Sequence, residues 1–299
     1  MQDFSLFKKS KDINGHSAAV YSIVYDGIFL YSASGDRYVT RWNLQSGIQD
    51  KFAIQFKNTP FCIALFSQNT YLAVGLENGD LHFFDLSERK EVKFFKQHKM
   101  GIFSILENTL KNQLYTADAE GNLAVWNTLS YELELFLPFA CGKIRRLTLS
   151  HNREKLILAC NDGIIRILET NFFNLVHSFE AHSAAVTSFA FFPKDDTKCI
   201  SGGKDAYLKA WDLNDYSCFK AIPIHNFSIY DLVFLSEDEF ISCSRDKTIK
   251  IWNATNFDLL QRIEHKNGGH LHSVNKLIKI GAKSFASCSD DKRILLFES

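Results

Sequence analysis

The sequence predicts an all-β fold, a seven-bladed β-propeller of four-stranded antiparallel blades, and three observations predict it. First, a large apolar residue followed by a polar one recurs along the chain. Trp42, Phe84, Trp126, Leu168, Trp211, Trp252 and Phe297 stand 42, 42, 42, 43, 41 and 45 residues apart, and Asn, Asp or Glu follows each. Second, a turn-forming residue lies six positions before each of them: Asp36, Asn78, Glu120, Asp162, Asp205, Asp246 and Asp291. Third, each interval divides into short apolar strands separated by turn signals. The stretch Ser242–Asn253 (SCSRDKTIKIWN) shows the unit, a Ser-rich strand end, a tight Arg-Asp-Lys turn and an alternating strand closed by Trp252 and Asn253. Repeats of about 40–45 residues with four short strands each mark propeller blades, which bury their faces only by stacking on their neighbours. Seven such units fill residues 1–299 without a linker, so the chain reads as one domain.

Taken in order, residues 3–8 alternate as a short strand ahead of a basic turn. They occupy the slot that a blade's outermost strand fills before each later repeat. The chain stops at Ser299, directly after a third strand, so residues 3–8 are expected to supply the missing fourth strand and close the ring. Blade one reads VYSIVYD, IFLYSAS and YVTRWN, with KFAIQF as its fourth strand; later fourth strands are EVKFFK, LELFLPF, LVHSFEA, CFKAIPI and LLQRIEH. Several turns carry glycine after the turn residue, as in Asn78-Gly79, Glu120-Gly121 and Asp162-Gly163. The connection from His265 to His270 holds the extra residues of the last interval and reads as a loop free to move.

These motifs resemble the WD-repeat (Trp-Asp) β-propeller family. Trp211-Asp212 is the family's terminal dipeptide intact, and Trp42-Asn43, Trp126-Asn127 and Trp252-Asn253 are close variants. The family's starting Gly-His pair is present as Gly15-His16 and Gly269-His270, and as His98, His182 and His225 alone. The resemblance implies a hydrogen-bonded line inside each blade through His, a strand Ser or Thr, the turn acid and Trp. Carried onto this chain, the lines are His16, Ser32, Asp36 and Trp42; His98, Thr116, Glu120 and Trp126; His182, Ser201, Asp205 and Trp211; and His225, Ser242, Asp246 and Trp252. Blade seven has His270, Ser287 and Asp291 but ends in Phe297. Blades two and four lack the His and carry Val74, Phe84, Leu158 and Leu168, so apolar packing alone is expected to hold them.

Composition narrows the function. Lys and Arg number 34 against 34 Asp and Glu, which disfavours general nucleic-acid binding. No apolar run approaches a membrane span, and the start has no signal-like apolar core. The cysteines are odd in number, seven, without a C-x-x-C, which favours a reducing compartment, the cytoplasm. No catalytic motif, cofactor or metal site is expected. The aligned histidines have structural work, and His270, His272 and Cys288 are poorly spaced for a metal.

The resemblance also implies a partner-binding face at the narrower end of the channel. Family contacts often come from positions three and five after the His and from the residue before the turn acid. The five-after set is Tyr21, Cys62, Phe103, Arg145, Thr187, Tyr230 and Asn275; the three-after set is Ala19, Pro60, Gly101, Lys143, Ala185, Ser228 and Ser273. The pre-turn set is Gly35, Glu77, Ala119, Asn161, Lys204, Arg245 and Asp290. Tyr21, Phe103 and Tyr230 stand out as aromatic anchors, and Lys143, Arg145, Lys204 and Arg245 as a basic cluster on blades four to six. The expected function is a non-catalytic scaffold that binds a protein or peptide, with an acidic or phosphorylated segment on this face. The alternatives are an enzyme or small-molecule binder using the channel mouth, and a structural subunit of a larger complex.

Overall fold

Seven antiparallel sheets of four strands stand in a ring in the computed structural model of the chain, which describes residues 6–299. The inner strands are Val20–Tyr25, Pro60–Phe66, Ile102–Asn108, Ile144–Leu149, Val186–Phe192, Ile229–Phe234 and Val274–Gly281. Each touches the inner strand before and after it, and the last returns to the first. The second strand of every blade is buried along most of its length, as in Phe29–Ser34 and Lys155–Cys160. Neighbouring blades cover both its faces, which is why these strands read as continuous runs of small and apolar residues rather than as alternation. Outer strands such as Lys90–Phe95 are largely exposed.

Seven apolar clusters of described residues fill the seven junctions. One joins Tyr31, Val39 and Phe52 of blade one to Leu72, Val74 and Phe84 of blade two. Another joins Ile13, Val20 and Trp42 to Ala286, Cys288 and Leu296 across the closing seam. Side-chain hydrogen bonds tie the same junctions on the face where the first hairpins turn, here called the lower face. Asn69 donates to Asp26 O, Ser67 N–H to Glu107, Arg153 to Glu107 O, His151 and Asn152 N–H to Asp196, Lys194 to Glu237, Lys279 to Leu235 O, and Lys11 to Leu44 O.

The N-terminal strand does complete the last blade, but it is Lys8–Ile13 rather than residues 3–8. Lys8 pairs with Glu298 and Ile13 with Ile294, with a register shift between Lys9 and Lys11. Residues 3–5 lie outside the described residues. Phe7 is a buried plug, its ring 5.2 Å from Phe285, and its backbone N–H and C=O bond the side chain of Gln261 at 2.9 and 2.8 Å. An outer strand faces solvent, so lysines fit it, and only Ile13 must be apolar.

Five blades carry the His line. His16 Nδ1 lies 2.8 Å from Asp36, its Nε2 lies 2.7 Å from Ser32 Oγ, and the Trp42 indole donates to the same hydroxyl at 2.7 Å. The arrangement repeats through His182, Asp205, Ser201 and Trp211 and through His225, Asp246, Ser242 and Trp252. Blade seven has His270, Asp291 and Ser287 without an indole. A neutral imidazole satisfies every group, with Nδ1–H donating to the carboxylate and the hydroxyl donating to Nε2. In blade three the acid is Asp118, not Glu120: Asp118 Oδ2 lies 2.7 Å from His98 Nδ1, while Thr116 and Trp126 hold their expected places. Asp118 ends the strand where other blades have Ser34, Ser244 or Ser289, and it also accepts from the N–H groups of Glu120 and Asn122.

Blades two and four hold more than apolar packing. Arg166 clamps the turn acid Asp162 through both nitrogens at 3.1 and 2.7 Å, and His82 bonds Glu91. The connection after blade six is folded as a 3₁₀ turn, His265–Asn267, capped reciprocally by Glu264 and Asn267.

Candidate functional site

Every inner strand opens with a bulge. The register skips one residue between Val20 and Ser22, and likewise at Phe61, Phe103, Arg145, Thr187, Tyr230 and Asn275. A bulge leaves one residue outside the ladder and re-aims its side chain. Here all seven lie at the end of the channel where the inner strands begin, the upper face. Six of them are the five-after residues of the sequence reading. In blade two the bulged residue is Phe61, not Cys62, whose side chain is buried against Ile102 O. Blade two has no His to set the count, so the repeat has no fixed origin there.

Phe61 completes an aromatic arc. Its ring lies 5.7 Å from Tyr21, edge to face, and 5.0 Å from Phe103. Gly101 provides the bed, since a Cβ there would stand 2.9 Å from Glu77 O and 3.1 Å from the Phe61 ring. Lys143 continues the arc into blade four, with its ammonium 3.7 Å from the centre of the Phe103 ring. Burial, and then the charge of Arg145, bring its pKa down to about 8. Arg145 is itself pushed down by burial, and its Nε is buried without an acceptor among the described residues. Tyr230 stands close enough to feel both Arg145 and Arg245. Lys204 and Arg245 are exposed, and the Arg245 guanidinium lies 5.9 Å from the Phe227 ring.

The two acids of the pre-turn set are already engaged. Asp290 accepts from Asn275 at 2.8 Å, and Glu77 accepts from the Thr59 N–H at 3.1 Å. Thr187 is folded inward, its hydroxyl bonded to Gly202 O and Ile229 O. The structure therefore brings Tyr21, Phe103, Lys143 and Arg145 into one surface, with Tyr230 beside Arg145.

Sequence reasoning missed the groups one residue further on. Asp231, 1% exposed, receives Arg146 at 3.4 Å and Lys276 at 3.3 Å, and the Leu277 N–H at 3.2 Å. These side chains come from inner strands of blades four, six and seven, and two cations face one carboxylate. The signal was available in the repeat: Ser22, Ser104 and Ser188 hold that position in other blades, where a charge is out of place. Ser22 and Ser104 accept an N–H from the next blade's inner strand. Ser188 Oγ has no partner among the described residues, because the corresponding Leu232 N–H bonds Asp231 Oδ1.

Comparison with known proteins supports the architecture. The family model described as WD domain, G-beta repeat matches residues 7–43, 173–212 and 216–253. The ribosome biogenesis protein YTM1 of Kluyveromyces lactis is 23% identical over 256 residues, 80% of this chain and 55% of that protein. Transducin beta-like protein 3 of Rattus norvegicus is 22% identical over 271 residues, 89% of this chain and 30% of that protein. The striatin homolog of Dictyostelium discoideum is 21% identical over 286 residues, 88% and 31% respectively. The chain thus spans between about a third and about half of the length of these relatives. With seven four-stranded blades closed into a ring and His lines built from the residue types of that repeat, the chain is a seven-bladed β-propeller that carries WD repeats in three of its blades.

Proposed function

We propose that the protein is a non-catalytic interaction scaffold that docks an acidic or phosphorylated segment of a protein partner on its upper, narrower face. The observation that carries this reading is the Lys143–Arg145 pair. Two cations share one blade end, burial holds both below their ordinary pKa, and among the described residues no carboxylate neutralises either. An unpaired, partly desolvated guanidinium is costly, and an incoming carboxylate or phosphate would relieve that cost through charge-assisted hydrogen bonds. The Tyr21–Phe61–Phe103 arc beside it offers a rigid apolar platform for the side chain next to the anion. The seven cysteines, free and six of them buried, support the cytoplasm as the compartment.

The test is fluorescence polarisation with paired peptides, each carrying an aromatic residue two to four positions from a serine, phosphoserine or aspartate. The anionic peptides are expected to bind and the serine peptides to bind weakly. Lys143→Glu/Arg145→Glu is expected to weaken binding by roughly 30-fold or more, with an unchanged thermal melt. Affinity should also fall as pH rises through about 8, where Lys143 loses its proton. Equal binding by the variant overturns the reading.

A further inference from the structure

The lower face carries a feature that the anion site does not use. Leu110, Leu129 and Phe172 are 73, 71 and 80% exposed. They sit on three turns that are bonded together. The Thr128 N–H donates to Asn112 O at 2.8 Å, which sets Leu129 beside the turn of Leu110. Lys111 donates to Thr170 O and, at 2.7 Å, to Asn171 Oδ1, which sets Phe172 on its other side. The three apolar tips therefore form one patch across blades three and four.

The repeat supplies its own control. Six blades make the same turn after their third strand, each fixed by the same backbone bond and each with a positive φ three residues after the bonded N–H. Where blade three has Leu129, the others have Gln45, Ser87, Asn171, Asn214 and Thr255. Where blade four has Phe172, the others have Ser46, Glu88, Ser130, Asp215 and Asn256. The turn itself thus has no need of an apolar residue, and exposing two costs solubility unless something covers them.

We propose that this patch docks an amphipathic helix of a protein partner, its apolar stripe flanked by lysine and arginine. Two observations select that occupant. The turn N–H groups are already bonded, those of Leu129 and Ser130 to Asn127 and those of Asn171 and Phe172 to Glu169, so the patch offers side-chain contact and no open edge for an added strand. The partner must bring a backbone satisfied within itself, which is a helix. The rim is acidic: Glu132 and Glu154 are exposed, while the cations Lys111 and Arg153 are turned onto the carbonyls of Thr170 and Glu107.

The test presents the full chain to a displayed library of helix-forming 18-residue peptides. Apolar residues sit at i, i+3, i+4 and i+7, and the other positions sample Lys, Arg, Glu and Gln. Leu129→Asn/Phe172→Ser places the other blades' residues in these turns, and Leu129→Met/Phe172→Leu keeps them apolar. Selected sequences are expected to be basic, to bind the polar variant about tenfold or more weakly, and to bind the apolar variant as they bind the natural chain. Should the double variant melt early, Phe172→Ser alone serves. The proposal is overturned if no peptide is sensitive to the polar variant, if the sensitive ones are acidic, or if sedimentation shows self-association that the polar variant abolishes.

Discussion

Asp118 and Glu120 stand two residues apart in blade three, and only Asp118 serves His98. Asp118 is fully buried and its carboxylate takes the imidazole, two backbone N–H groups and the Asn122 amide, whereas the Glu120 side chain is exposed. Removing a buried acceptor strands each of those donors, so Asp118→Ala should cost about 1–3 kcal/mol. Glu120→Ala should stay within about 0.5 kcal/mol, as ordinary surface changes do. Urea unfolding of both variants checks this, and equal costs would return the role to Glu120. The pair also shows what a sequence can carry. The kinds of residue in the His line were legible, because that line demands a fixed donor–acceptor order. Which of two nearby acids closes it was not, because a strand-end acid and a turn acid can reach the same imidazole. Phe61 was hidden for a related reason: the bulge that exposes it is set by strand pairing, and blade two has no His from which to count.

The closing strand shows the same limit for an element. Outer strands are solvated on one side, so Lys8–Ile13 reads as a basic turn and gives no alternating pattern. What fixes it is Ile13, 1% exposed in the cluster of the seam, and the paired hydrogen bonds of Phe7 with Gln261. This strand closes the ring on residues from opposite ends of the chain, so its loss opens a junction that no loop holds together. Ile13→Ala should remove about 2–4 kcal/mol through the cavity it leaves. Hydrogen exchange should rise first in Lys8–Ile13 and Ile294–Glu298, ahead of the other outer strands. Uniform acceleration across all seven blades would instead mean that the ring opens only as a whole. The upper face depends on elements in the same way: the bulges that present Tyr21, Phe61, Phe103 and Arg145 exist because each inner strand must leave its ladder at the channel mouth.

Across the whole molecule, five His lines respond to acid with one sign. Burial pushes the carboxyls of Asp36, Asp118, Asp205, Asp246 and Asp291 up, but the imidazole and turn N–H groups outweigh it and hold all five below the usual carboxylate range. His16 and His225 are held below the ordinary 6.5, because burial outweighs the nearby aspartate. In each case the unfolded chain binds the proton more readily than the folded one, so stability rises with pH across the interval between the two pKa values. The contribution is complete above pH 6.5, begins to fall as the unfolded histidines gain protons, and falls further below 3.8, where the unfolded aspartates do. Because the lines are spread over five of seven blades, every junction borders at least one of them, and acid should loosen the ring cooperatively rather than blade by blade. The melting temperature should be flat from pH 8 to 6.5 and drop by about 5 °C or more by pH 4. A His16→Gln/His225→Gln variant should be less stable at pH 7 but lose part of the slope between pH 6.5 and 4.5. A melt that does not move over that range, or a slope the variant leaves intact, would mean that the imidazoles titrate alike in the folded and unfolded chain.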